Sequence, residues 1–167
     1  MGSGKSSVGL ALSLLLSWPL VDLDCEIERA EGRKIHEIFS EHGEPRFREI
    51  ETEVLRTVLE GINPPLVLAA GGGTYVQSRN VALLRAAGAT VVFLEASAET
   101  LLERCCSDAN EQNEAIRPLA RDREAFLSLY EDRLPSYRTA DLTMVSDNKT
   151  PNAVAQQIAE ELHLLTE

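Results

Sequence analysis

Apolar residues along this chain follow two rhythms. Short uninterrupted runs bounded by Gly, Pro or Asp read as buried strands, and runs with an apolar residue every three or four positions read as helices. Pro19 to Leu23, Leu66 to Ala70, Thr90 to Leu94 and Leu142 to Val145 are of the first kind. Lys5 to Ser17, Pro45 to Leu59, Asn80 to Ala87, Ala98 to Cys105, Arg121 to Tyr137 and Pro151 to Leu162 are expected as helices. The first of these is apolar nearly all round, which predicts burial. Phe47, Ile50, Val54 and Val58 form the core face of the helix from Pro45. Glu26 to Arg29 and Ile35 to Glu41 read as short helices separated by Gly32. Pro151 stands at the first turn of the closing helix, where its missing N–H has no partner to lose. Strands alternating with helices predict an α/β fold with a mainly parallel sheet. Ser107 to Glu114 breaks the rhythm, and this polar, acidic stretch reads as a mobile loop. With no repeat and no dividing linker, residues 1–167 are expected to form a single domain.

Composition narrows the partners. An apolar content of 44% fits a folded globular protein. A net charge of −11 argues against nucleic acid, which is bound through excess Lys and Arg. The three cysteines, Cys25, Cys105 and Cys106, show no C-x-x-C spacing, so neither a disulfide framework nor a zinc site is implied. Reduced thiols in a cytoplasmic protein are expected. The apolar run from Leu10 to Leu16 is too short to cross a bilayer, so no membrane partner is expected. No exposed apolar helix face stands out, which makes a monomer the plain expectation. Within this acidic chain Arg48, Arg104, Arg117 and Arg133 recur at intervals. Such arginines either pair on the surface with Glu and Asp or use their planar fork on small anions.

The chemistry begins at Gly4-Lys5-Ser6, the closing half of a G-x-x-x-x-G-K-[ST] phosphate-binding loop, followed by the helical run from Val8. Backbone N–H groups at a helix N-terminus point at an anion, and the helix dipole adds positive potential. In this motif Lys5 reaches the β- and γ-phosphates and the Ser6 hydroxyl sits on Mg²⁺. The first glycine of the pattern falls before Met1, as does the strand that normally precedes the loop. That strand is usually interior, so open strand edges, reduced stability and little activity are expected of the chain as written.

Asp22 and Asp24 flank Leu23 at the carboxyl end of the second strand position, the edge where ligands bind in open α/β sheets, and alternate residues on a strand face the same side, so both carboxylates are expected to look from that strand into one site. Phosphoryl transfer needs one acid to hold Mg²⁺ and one group to orient or deprotonate the accepting hydroxyl. A capping aspartate is the plainer reading. Gly71-Gly72-Gly73 directly follows a buried strand and marks a close approach of backbone to ligand, or an ordinary loop. Arg48 has Glu51 one turn on, which is either a weak surface pair or an arginine oriented toward a substrate carboxylate. Loop arginines near such a site, Arg117 and Arg133, can clamp a transferring phosphoryl group.

Taken in order, these segments resemble shikimate kinases, small P-loop kinases related to the nucleoside monophosphate kinases. The matching pieces are Gly2-Ser3-Gly4-Lys5-Ser6-Ser7, Asp22-Leu23-Asp24, Gly43-Glu44 with Phe47-Arg48 and Glu51, the glycine triplet, Arg117-Pro118-Leu119, and Arg133 with Pro135 and Tyr137. The resemblance implies a three-layer P-loop kinase with a parallel sheet, its first strand missing here, and a mobile lid near residues 105–120. It implies transfer of the ATP γ-phosphoryl group to the 3-hydroxyl of shikimate, with ATP and Mg²⁺ as cofactors. Gly2 to Ser7 would cradle the phosphates, with Ser6 and Asp22 on Mg²⁺. Asp24 would be the base, and Arg48, Arg133 and Gly71 to Gly73 would hold shikimate. Arg117 would come from the lid, while Arg104 and Pro151 would flank adenine. Asp108, Glu111 and Glu114 make this lid unusually acidic, and long for the family. Rival readings are a gluconate kinase or other small-molecule kinase, or a non-catalytic remnant.

Overall fold

The structure, a computed structural model, describes residues 2–61, 65–108 and 122–165. Helix α1 (Lys5–Leu16) starts directly after Gly4, whose φ of 82° turns the chain in a left-handed conformation suited to glycine. Strand β1 (Leu20–Asp22) follows, then α2 (Leu23–Glu31) and α3 (Ile35–Gly61). Helix α3 is kinked at Gly43, with φ 74° and ψ 174°, so the two helices expected on either side of this point run on through a bend. Strand β2 (Val67–Ala69) leads through the glycine triplet into a 3₁₀ turn (Thr74–Val76) and α4 (Ser78–Ala86). The rest is β3 (Val92–Glu95), α5 (Ala98–Asp108), α6 (Arg123–Tyr137), β4 (Leu142–Val145) and α7 (Pro151–Glu161). Ser107 and Asp108 therefore close a helix rather than open the expected loop. The lid expected over about 105–120 lies mostly outside the described residues, as does Arg117.

The strands form two parallel pairs. Leu20, Val21 and Asp22 register against Val67, Leu68 and Ala69. Val92 to Glu95 register against Leu142 to Val145. Among the described residues no ladder joins one pair to the other. An apolar cavity of about 560 Å³ opens between them, lined by Val67, Leu68, Val92, Phe93, Gly9 and Leu12.

Three apolar cores hold the layers. One joins α2, α3 and α4 through Leu23, Ile27, Ile38, Phe47, Ile50, Leu55 and Leu84. A second joins α1, β3, β4 and α7 through Val8, Leu94, Met144, Val154 and Ile158. The third sets α5 on α6 through Leu101, Cys105 and Phe126. Burying each large side chain contributes ~1.5–3 kcal/mol, so these clusters are the main source of cohesion. Helix α1 departs from expectation. Only Val8 and Gly9 are buried in it, while Leu14 is 73% exposed and Leu10 51% exposed. One apolar side of α1 packs on α7 and β2 and the other faces outward, so the reason for expecting a monomer no longer holds.

Candidate active site

The phosphate-loop segment lies against α5. A Cβ on Gly2 would stand 2.5 Å from the Leu101 carbonyl oxygen and 3.0 Å from Cys105 Sγ, and its φ is +61°, so only glycine fits. Ser3 is buried beside it. Lys5, Ser6 and Ser7 form the first turn of α1, which carries no acidic side chain to compete for an anion. Burial pushes the Lys5 ammonium below its ordinary pKa, against the pull of Asp24, Cys105 and Asp22, while the charge of Arg133 pushes the same way as burial. Those influences place Lys5, both aspartates and Arg133 around one space.

Asp22 and Asp24 do not project from one strand as the sequence reading assumed. Strand β1 ends at Asp22, which caps α2, and Asp24 already belongs to that helix. Asp22 Oδ1 accepts from the backbone N–H of Asp24 at 3.0 Å and of Cys25 at 3.3 Å. Its other oxygen accepts from the Ser6 hydroxyl at 3.3 Å. The capping reading is therefore realised, and the same carboxylate also meets Ser6 at the start of α1. Asp24 opens toward solvent at the site yet is ringed by protein. Desolvation, and then the charge of Asp22, raise its pKa, with Lys5 opposing.

On the far side stands Arg48. Its Nη1 donates to Glu51 Oε2 at 3.1 Å, and its Nη2 and Nε donate to Glu44 Oε1 at 2.8 and 3.1 Å. The side chain is only 13% exposed and Glu51 only 1%, so this is no surface pair. The guanidinium lies 5.1 Å from the Phe47 ring centroid and against Gly73, where a Cβ would stand 2.4 Å from Nη1 and Nη2. A Cβ on Gly71 would meet Asp24 Oδ1 at 3.3 Å. One glycine turn thus touches the carboxylate at one end and the arginine at the other. Its middle residue is held by the Tyr137 hydroxyl, which donates to the Gly72 carbonyl. Burial raises the Tyr137 pKa, and the charges of Arg133 and Arg48 both oppose it, so the two arginines converge on this phenol. The cavity between the strand pairs reaches this place through Gly71, Gly72, Arg133 and Tyr137, but most of its wall is apolar and belongs to the cleft.

A third group gathers at the end of β4. Arg104, on α5, donates through Nη2 to the Ser146 carbonyl at 3.0 Å and through Nη1 to the Ser146 hydroxyl at 3.3 Å. Pro151 begins α7 a few residues on, after the Thr150 N-cap. Both residues expected near adenine therefore border the same loop.

Residues 1–163 match the family model for shikimate kinase. The chain belongs to the shikimate kinase family. A shikimate kinase from Persephonella marina is 38% identical over 159 residues, covering 95% of this chain and 92% of the relative. One from Cereibacter sphaeroides is 41% identical over 165 residues, covering 97% and 78%. Among solved structures, the shikimate kinase from Acinetobacter baumannii in complex with shikimate superposes with a TM-score of 0.84 at 34% identity, covering 98% of this chain and 88% of that one. The Aquifex aeolicus shikimate kinase superposes with a TM-score of 0.80 at 32% identity, covering 98% and 91%. The family members are ATP-dependent phosphotransferases, and the P-loop kinase fold expected from the sequence is the fold found.

Several contacts in the candidate site were given no role from the sequence. Glu44 shares Arg48 with Glu51, and Tyr137 clasps the glycine turn. Thr74 donates its hydroxyl to Glu51 Oε1 at 2.7 Å and is fully buried. Glu44 stands four residues before Arg48, a spacing that predicts pairing on a helix, and was the legible one. Tyr137 stands in the matching motif, but its bond to Gly72, like that of Thr74 to Glu51, joins residues far apart in the chain, and no local pattern announces such a pair.

Proposed function

We propose that this chain transfers the γ-phosphoryl group of ATP to the 3-hydroxyl of shikimate, giving shikimate 3-phosphate and ADP. The observation that carries the reading is the glycine turn with Asp24 at one end and the buried Arg48 at the other, facing the N-terminus of α1. A hydroxyl acceptor that also bears a carboxylate fits that span, and the solved relative from Acinetobacter baumannii holds shikimate. Arg48 and Arg133 fork the substrate carboxylate, and Gly71 to Gly73 let the ring approach the backbone. Asp24 orients the accepting hydroxyl and takes its proton as the new O–P bond forms and the bond to the ADP oxygen breaks. Its raised pKa suits a group that must accept and then release a proton.

The backbone of Gly2 to Ser7 cradles the phosphates, and Lys5 neutralises charge on the oxygens of the transferred group. Arg117 is proposed to add its charge from the lid, and Arg104 and Pro151 to border adenine. Ser6 and Asp22 offer paired hard oxygen donors, a hydroxyl and a carboxylate 3.3 Å apart, which fits Mg²⁺ held jointly with phosphates. When bound there, Mg²⁺ supplies positive charge to the β- and γ-phosphate oxygens. A cytoplasmic location is part of the same reading, in keeping with a cysteine spacing that implies no disulfide framework.

The test is a coupled ADP-release assay with Mg-ATP, with and without shikimate. We expect a shikimate-dependent rate, and we expect Arg48→Ala to weaken shikimate binding by about 100-fold with little change for ATP. Absence of a shikimate-dependent rate sinks the assignment, and equal losses for both ligands sink the role of Arg48.

A further inference from the structure

A buried polar network lies behind the glycine turn, and no role described so far uses its innermost member, Asn80. This side chain, on the first turn of α4, is fully buried. Its Nδ2 donates to the Thr74 carbonyl at 3.1 Å, and its Oδ1 accepts from the Thr52 hydroxyl at 2.8 Å. Thr52 belongs to α3, one turn after Arg48, and its hydroxyl also lies 2.9 Å from the Arg48 carbonyl. Thr74 is thereby held at three atoms. Its N–H donates to the Gly71 carbonyl at 3.1 Å, its hydroxyl donates to Glu51, and its carbonyl accepts from Asn80. Glu51 in turn accepts from Arg48.

We propose that Asn80 is a positioning residue for shikimate, fixing the distance between Arg48 on α3 and the glycine turn by tying Thr52 to Thr74. A buried amide contributes little net stability over a well-packed apolar side chain, so its value here is geometric. Its two ends span α3, which carries Arg48, and the 3₁₀ turn that directly follows the glycines, and among the described residues its side chain has no hydrogen bond to the phosphate loop or to the Arg104 region. The inference rests on the proposed acceptor, because it assigns Asn80 to that end of the site.

Asn80→Asp keeps the shape and the acceptor for Thr52 but sets an oxygen against the Thr74 carbonyl. Thr52→Val removes the hydroxyl at constant shape, and Thr52→Ser restores it. Calorimetric titration of each protein with shikimate and, separately, with a non-hydrolysable ATP analogue reads the effect. We expect Asn80→Asp to weaken shikimate binding about tenfold, since small misplacements of positioning groups are amplified at the ligand. Thr52→Val should follow in the same direction, Thr52→Ser should match wild type, and analogue binding should hold within about twofold. NMR of the unliganded proteins supplies a reading that needs no substrate, with the Arg48 Nε–H and Thr74 amide signals shifting in Asn80→Asp and Thr52→Val. Unmoved signals overturn the inference, as does parallel weakening of both ligands. If those signals move but wild type itself binds no shikimate, the network stands and the proposed acceptor falls.

Discussion

Arg48 and Lys5 face the same space from opposite sides and are held in opposite ways. Arg48 is fastened by Glu44 and Glu51, stacked near Phe47 and pressed on Gly73. Among the described residues no hydrogen bond or ion pair fastens the Lys5 ammonium, and burial disfavours its charge. The proposed acceptor end is therefore already organised, its arginine compensated by carboxylates. The phosphate end sets a buried cation beside the N-terminal N–H groups of α1, a combination that gains most when an anion enters. On the proposed function, recognition belongs to the first region and charge stabilisation during transfer to the second.

Removing the phosphate-end cation should strain this contrast most. In Lys5→Ala we expect kcat to fall by about 10²–10³-fold, the scale for one preorganised charge donor, with shikimate binding nearly unchanged. Steady-state kinetics and direct titration check it, and a loss confined to the shikimate KM would reverse the division. A smaller effect is expected from Gly73→Ala, whose Cβ would press into the Arg48 guanidinium at 2.4 Å. The shikimate KM should rise about tenfold as the clamp is displaced. Overpacking should also lower stability by ~1–3 kcal/mol in a denaturant titration. Unchanged shikimate affinity would mean that Arg48 swings aside freely and that the acceptor end is not prefastened.

The smallest effect concerns Asp24. Its folded pKa is raised above the ordinary 3.8, so the folded state holds its proton more tightly than the unfolded chain does. Stability from this group is therefore greatest at low pH and declines as pH rises from 3.8 to the folded pKa. Asp24→Asn should raise the melting temperature of the metal-free protein at pH 7, and that gain should shrink on acidification toward 3.8. A melting temperature that falls at pH 7 would show that Asp24 contributes cohesion as well as chemistry.

Much of this site was legible because its signals are local. Gly4-Lys5-Ser6 announces an anion site through glycine conformation and helix polarity within a few residues. Strand runs and helical periodicity located the elements to within a few positions, and β4 matched its expected span. What failed was inference about surroundings. The apolar run of α1 implied burial, but periodicity cannot say which neighbours are there to cover Leu10 and Leu14. Asp22 and Asp24 were expected on one strand, because nothing in D-x-D marks where the strand stops and the cap begins.

The sequence by itself determined the fold class, the phosphate loop, the carboxylates and the arginines, since each depends on backbone preferences and spacings over short distances. Tertiary structure alone decided that Arg48 is buried, that Tyr137 reaches across 65 residues to Gly72, and that Asn80 links α3 to the glycine turn. It also decided that the strands stand as two parallel pairs with an apolar cleft between them. Those outcomes depend on which surfaces meet, and the free energy of burial and of fastening a charge exists only once they do.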